Sequence, residues 1–131
     1  MERRAINPWA WSVEMGFQQA VEVKGAQRTL YCSGQTSVDE KGAPLHAGDI
    51  LAQVNLALDN LEAVLKQSEM TLSNVVRLCM YTTDVDAFLG TLESVGQRMG
   101  EAGLAQCSTL LGVQRLVYPE LMVELEATAV A

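Results

Sequence analysis

The longest regular pattern of apolar residues begins just after Asp49, a residue type that often caps the start of a helix. Apolar residues then recur every three or four positions, which predicts one apolar face along a helix of about five turns. These residues are Ile50, Val54, Ala57, Leu58, Leu61, Val64 and Leu65. A second helix is predicted after Asp84 or Asp86, with an apolar face made of Val85, Phe88, Leu92, Val95 and Met99.

The remaining apolar runs are short and rich in β-branched residues, which is typical of strands. The clearest run extends from Val75 to Thr82 and predicts a buried strand. Further strands are predicted at residues 20–23, 29–33, 107–113 and 121–130, with a hairpin turn at residues 24–27. Residues 8–15 contain both tryptophans, and they predict an extended arm or a short strand.

The predicted element order is β-β-α-β-α-β-β, and two helices cannot cover both faces of such a sheet. We therefore predict an α+β fold in which both helices pack on one face of a single sheet. In the last strand Val123 and Leu125 point toward the helices, whereas Glu124 and Glu126 point away from them. That second face meets water, a partner subunit or a site. The length of 131 residues fits a single domain, residues 1–131.

Composition and charge narrow the classes of partner. A net charge of −7 leaves no basic surface for nucleic acid, so no nucleic-acid partner is predicted. No apolar stretch approaches the ~20 residues of a membrane span, and the first residues form no apolar signal core, so we predict a cytoplasmic protein with no membrane partner. Three widely spaced cysteines and a lone histidine, His46, predict neither a disulfide framework nor a metal site, and no cofactor motif is present.

Four segments share an order and spacing that point to a known family. They are Cys32-Ser33-Gly34-Gln35, Gly48-Asp49-Ile50, Tyr81-Thr82-Thr83-Asp84 and Val123-Glu124-Leu125-Glu126-Ala127. Together they resemble the Rid family, also called YjgF, over about residues 16–130. The resemblance implies a chorismate-mutase-like fold with one mostly antiparallel sheet. It also implies a homotrimer with small-molecule sites in the clefts between subunits, where the best-known members hydrolyse imines and enamines such as 2-aminoacrylate.

The resemblance also implies a set of site residues. The family glutamate that positions water falls on Glu124, and the family serine falls on Ser33 beside Gly34. The family tyrosine falls on Phe17, which has no hydroxyl, and the arginine that binds the substrate carboxylate falls on or next to Ser108. Serine supplies no charge for a carboxylate. We therefore expect amino-acid-derived imines to bind poorly.

Three neighbouring residues, Cys107, Ser108 and Thr109, complete the predicted substrate-binding set. A reactive thiolate needs a nearby cation, and the sequence places none close to Cys107, so an unreactive thiol is favoured over a nucleophile. Ser108 and Thr109 either donate hydrogen bonds to a ligand or are ordinary strand residues. The aromatic residues Trp9 and Trp11 pack a subunit interface or line a ligand cleft, and the first interpretation is favoured.

Two hypotheses about function follow. The chain is an enzyme of the Rid type that hydrolyses a neutral imine, enamine or related C–N bond, with Glu124 steering water. Alternatively, the chain forms a trimer that binds a small metabolite or another protein without catalysis. The missing arginine and tyrosine hydroxyl favour the second hypothesis, and the retained Glu124 supports the first.

Overall fold

The computed structural model describes residues 1–131, which form seven strands and four α-helices. The strands are β1 (Glu2–Ile6), β2 (Ala20–Lys24), β3 (Thr29–Tyr31), β4 (Gln35–Thr36), β5 (Val75–Thr82), β6 (Cys107–Gly112) and β7 (Val123–Val130). The helices are α1 (Trp11–Glu14), α2 (Ile50–Gln67), α3 (Val85–Leu89) and α4 (Leu92–Glu101). The predicted α+β class is confirmed.

The main sheet has five strands in the order β3-β7-β5-β6, with the short strand β4 also paired to β7. All pairs in it are antiparallel except β5 with β6, which run parallel. Parallel neighbours need a crossover connection, and α3 and α4 provide it here. The last strand in the chain, β7, therefore lies in the middle of the sheet.

The long helix α2 packs on one face of this sheet, against β7 and β4. Its predicted cap is confirmed, because the Asp49 side chain accepts a hydrogen bond from Ala52 N at 3.1 Å. The alternation predicted for the last strand is also confirmed. Val123 and Leu125 are buried in the core, whereas Glu124 and Glu126 lie on the other face. None of the helices is long and apolar enough to span a membrane.

The second predicted helix is interrupted. Asp84 caps α3, accepting from Ala87 N at 3.0 Å, but the helix ends at Gly90, and α4 begins after Thr91. Glycine weakens a helix interior, and the Thr91 hydroxyl donates to the Phe88 carbonyl at 2.7 Å. These two features break the helix, although its apolar face still reaches the core.

The prediction of one sheet that includes the first predicted strand is wrong. That strand, β2, pairs antiparallel with β1 in a separate two-stranded ribbon, and residues 24–27 do not join it to β3 as a hairpin. The five residues of β1 have no apolar alternation, so the sequence carries no signal for this strand. The Asn7 side chain helps to close the ribbon, because it donates to Gln18 Oε1 at 2.6 Å and accepts from Gln19 N at 2.8 Å.

The prediction for residues 8–15 is also wrong, since this segment contains the short helix α1 instead of an extended arm. After α1 the chain turns at Gly16, whose φ of +91° favours glycine, and Gln18 N then donates to the Gln106 carbonyl at 2.8 Å. This bond places Phe17 against the beginning of β6. After the ribbon the chain reaches the main sheet beside the end of β7, where Gln27 N and Arg28 N both donate to the carbonyl of Ala131.

A buried glutamine fixes the beginning of β7. Gln53 on α2 is fully buried, and its amide donates to the carbonyls of His46 at 3.1 Å and Glu120 at 2.8 Å. Its side-chain oxygen accepts from Met122 N at 2.7 Å. Buried polar groups need such partners, and here the three bonds hold two loops and a strand end in place. The position of the following residues of β7 is thereby set from the helix layer.

Candidate functional site

The face of the main sheet that is turned away from α2, named the open face, carries the polar residues of β5 and β7. Tyr81 lies directly across from Glu124, and Cys79 lies across from Glu126. Because side chains alternate along a strand, these four residues lie on the same side of the sheet. The open face therefore combines two carboxylates, a phenol and a thiol over two neighbouring strands.

Glu124 is the best-defined polar group of the open face. A side chain at Gly34 would place its Cβ 1.8 Å from Glu124 Oε1, so only glycine leaves room for this carboxyl. Burial raises the pKa of the Glu124 carboxyl, and the charge of Glu126 raises it further. A carboxyl group with a raised pKa holds its proton closer to neutral pH and is suited to accept and return a proton.

A tyrosine lies across from Glu124 on the neighbouring strand, although the sequence analysis did not predict one for the site. Tyr81 is the cross-strand neighbour of Glu124, and partial burial together with the charge of Glu126 raises its phenol pKa. The hydroxyl therefore stays protonated at neutral pH and can donate a hydrogen bond. The tyrosine that the family resemblance placed at Phe17 is thus absent there, and a different tyrosine lies near Glu124.

The other predicted residues divide between the two sides of the sheet. Cys107 pairs with Arg77 and Thr109 pairs with Cys79, which places both on the open face with Glu124 and Gly34. Ser33 is exposed and directly precedes Gly34.

Ser108 and Phe17 lie on the opposite, helix-facing side of the sheet. They line a cavity of about 190 Å³ between β6, α3, α4 and the turn before β2, which we name the inner pocket. The Trp11 ring meets the ring of Phe17 edge-on, with the centroids 5.8 Å apart. Within one chain, therefore, the sheet separates Phe17 and Ser108 from Glu124.

The interpretation that Cys107 has no nearby cation is wrong. Arg77 is its cross-strand partner on β5, and the guanidinium Nε donates to Cys79 Sγ at 3.3 Å. The thiol of Cys107 itself donates to the Val76 carbonyl at 3.3 Å. Alternation already places Arg77 on the same side of its strand as Cys79 and Tyr81. The pairing of β5 with β6, however, follows from the fold and not from local sequence.

Comparison with known proteins identifies the family. The sequence model described as endoribonuclease L-PSP matches residues 10–131. YyfB from Yersinia pestis, a protein of the conserved Rid family, superposes with a TM-score of 0.89 at 36% identity, and the match covers 100% of both chains. The chain belongs to the Rid family. This membership confirms both the resemblance drawn from the sequence and the Rid-type fold that it implied.

Two further relatives extend the comparison. Protein DfrA of Myxococcus xanthus is 32% identical over 133 residues, which cover 100% of this chain and 98% of DfrA. A 2-iminobutanoate/2-iminopropanoate deaminase of Mus musculus is 33% identical over 79 residues, 60% of this chain and 56% of the mouse protein. A related protein, the mouse one, is thus an imine deaminase.

Proposed function

We propose that this Rid protein forms a homotrimer whose inter-subunit clefts bind a small uncharged metabolite and hydrolyse its imine or enamine C–N bond. The carboxyl of Glu124, held against Gly34 with a raised pKa, is the observation that carries the proposal. Such a carboxyl, on the same sheet face as a phenol that stays protonated, is a suitable group for activating water. The usual substrate, 2-aminoacrylate, is disfavoured because no arginine lines the inner pocket around Ser108 to bind its carboxylate.

The division of the site residues supports a cleft between copies. One chain holds Glu124 and Cys107 on one side of its sheet, and Phe17 and Ser108 on the other. A second copy is needed to bring the open face of one chain beside the inner pocket of the next. The open face also exposes apolar surface, which is typical of subunit interfaces. Tyr31 is 80% exposed and Leu111 is 50% exposed.

The proposed reaction uses only water and general acid–base groups. Glu124 accepts a proton from water while the water oxygen adds to the imine carbon, and the proton is passed to the nitrogen. The resulting tetrahedral intermediate expels ammonia and leaves a ketone or aldehyde. Tyr81 donates a hydrogen bond that helps to position the water. Raising the carboxyl pKa toward neutrality suits both directions of this proton transfer.

The test is ammonia release from two kinds of substrate. Freshly generated 2-aminoacrylate and 2-iminopropionate carry a carboxylate, and acetophenone imine is a neutral ketimine. We expect turnover of the neutral imine and little turnover of the two acids. Glu124→Gln should lower the rate about 100-fold or more, because it removes the general base. Glu120→Gln, which changes an exposed glutamate just before β7, is the matched control.

Rapid turnover of 2-aminoacrylate would overturn the substrate assignment. A neutral-imine rate unchanged in Glu124→Gln would overturn the catalytic role of Glu124. Sedimentation of the protein as a monomer at assay concentration would overturn the shared cleft.

A second candidate function is a trimer that binds a metabolite or a protein without catalysis. The apolar inner pocket favours it, as do Phe17 and Ser108, which replace two polar groups of the family site. Under this alternative a ligand binds without turnover, and Glu124→Gln changes only its affinity. The ammonia assay therefore separates the two candidates.

A further inference from the structure

The inner pocket is an uncharged cavity. Eight of its eleven lining residues are hydrophobic, and none of the eleven carries a charge. Its apolar wall includes Met80 on β5, Leu92 and Met99 on α4, and Phe17 on the turn before β2. An anion transferred from water into this cavity would lose its hydration and find no cation in exchange. The lining therefore selects against carboxylates and in favour of neutral, largely apolar molecules.

One end of the pocket is polar. Gln106 is only 3% exposed, and its amide nitrogen donates to Ser108 Oγ at 3.0 Å and to the Gly16 carbonyl at 3.5 Å. The side-chain oxygen of Gln106 accepts no hydrogen bond within the chain, and the Ser108 hydroxyl still has its own proton to donate. This oxygen is not among the buried side-chain atoms that lack a partner, so it stays accessible to a ligand. The pocket thus offers a ligand one neutral acceptor and one neutral donor.

The volume limits the size of the ligand. A dry apolar cavity of about 150 Å³ accommodates benzene. The inner pocket, at about 190 Å³, has room for a phenyl or branched alkyl group and a small polar group. Its three methionines, Met15, Met80 and Met99, are flexible and polarizable, so they can adapt to aromatic or aliphatic groups.

We propose that the inner pocket binds an uncharged compound that joins an aryl or branched alkyl group to a neutral donor–acceptor group such as a carboxamide. Ser108 donates to its carbonyl oxygen, and the side-chain oxygen of Gln106 accepts from its N–H. The inference rests on the proposed function, because it names the class of compound that this half of the shared site takes. It does not depend on any catalysis at Glu124.

The test compares two pairs of probes that differ only in charge, using the full chain at neutral pH. The pairs are benzamide with benzoate and isovaleramide with isovalerate, and titration calorimetry measures each Kd. We expect each amide to bind at least about tenfold more tightly than its acid. Equal affinity, or tighter binding of the acids, would overturn the proposal.

Two substitutions locate the bound amide. Ser108→Ala should weaken benzamide binding about fivefold to tenfold, because one hydrogen bond is lost, and Ser108→Thr should retain binding. Ser94→Ala, at an exposed serine of α4, is the matched control. Circular dichroism verifies that each variant is folded. Benzamide affinity that is unchanged in a folded Ser108→Ala protein would overturn the proposed site.

A measurement on the unaltered protein does not depend on any variant folding. With methionine methyl groups labelled for NMR, benzamide should shift the resonances of Met80 and Met99, which line the pocket, and leave Met70 unchanged. Shifts confined to methionines outside the pocket would overturn the proposal. If amides bind here but no imine is hydrolysed, the pocket assignment stands and the proposed reaction fails. If imines are hydrolysed but the protein prefers the acids, the reaction stands and the pocket assignment fails.

Discussion

The two faces of strand β7 have the same backbone and opposite surroundings. Val123, Leu125 and Ala127 point into the core and are almost completely buried. Glu124 and Glu126 alternate with them and face away from the helices. The first group contributes to stability by removing apolar surface from water, whereas a charged carboxylate on the second face gains nothing from burial. Stability and chemistry are thus assigned to opposite sides of one strand.

The largest effect is expected from the core face. Leu125→Ala should lower the free energy of unfolding by about 2–5 kcal/mol, because it removes buried methyl groups and leaves a cavity. Glu126→Gln, one position away on the open face, should change it by less than about 0.5 kcal/mol. Urea denaturation of both variants measures the contrast. Similar losses in the two variants would mean that the faces do not divide stability as described.

Assembly provides the next test, through two exposed leucines. Leu111 lies on the open face and is 50% exposed, while Leu51 lies on α2 and is 41% exposed. If the open face is covered by another copy, Leu111→Asp places an unpaired charge in the interface and should convert the trimer to monomers. Leu51→Asp should leave the trimer intact. Light scattering coupled to size-exclusion chromatography distinguishes these outcomes, and a trimer formed by Leu111→Asp would place the interface elsewhere.

Gly34 tests how closely Glu124 is positioned. In Gly34→Ala the new methyl group would overlap the carboxyl, which must move out of its present position. We expect the Glu124 pKa to return toward its ordinary value in an NMR titration, and any imine hydrolysis to fall about 100-fold. Gly100→Ala is the control, because nothing lies within 4 Å of its added Cβ. An unchanged Glu124 titration in Gly34→Ala would show that the contact does not hold the carboxyl.

The smallest expected effect is the pH dependence of stability. Because burial and Glu126 raise the Glu124 pKa in the folded chain, the folded state binds its proton more tightly than the unfolded state does. The tighter proton binding raises the free energy of unfolding. This stabilisation is fully present below the pKa of Glu124 in the unfolded chain, and it is lost as the pH rises through the pKa of Glu124 in the folded chain. Glu124→Gln should remove that loss.

The measurement is the free energy of unfolding of both proteins at a series of acidic to neutral pH values. The free energy of unfolding of Glu124→Gln should increase relative to that of the wild type as the pH rises. In Glu126→Gln the same loss should be smaller, because one of the two causes of the raised pKa is removed. Parallel pH profiles for wild type and Glu124→Gln would contradict the raised pKa.

Local patterns predicted most of the sheet and the helix layer. The spacing of apolar residues after Asp49 predicted α2, and alternation in the last strand separated Leu125 from Glu124. Both signals are strong because each element buries one side against the core. The strand β1 had no such signal. Its five residues are mostly exposed, and hydrogen bonds from Asn7, not hydrophobic burial, help to close the ribbon.

The candidate site was only partly predictable for a related reason. Gly34 and Glu124 were found through the family resemblance, and the structure places them in contact. The neighbours Arg77 and Tyr81 were missed because they reach the site through cross-strand pairing. Pairing register depends on the whole sheet and cannot be deduced from one segment. The position of Ser108 on the helix-facing side of the sheet was missed for the same reason, because it also depends on the pairing of β6 with β5.

The central place of β7 has a consequence for folding kinetics. This strand follows all its partners in the chain, yet it joins β3 and β4 on one side to β5 on the other. Its C-terminal neighbour, Ala131, meets Arg28 through paired backbone hydrogen bonds. The main sheet therefore cannot close during synthesis until residue 131 has left the ribosome. Such distant pairings slow folding, and until they form β3 and β5 remain as unpaired edges open to aggregation.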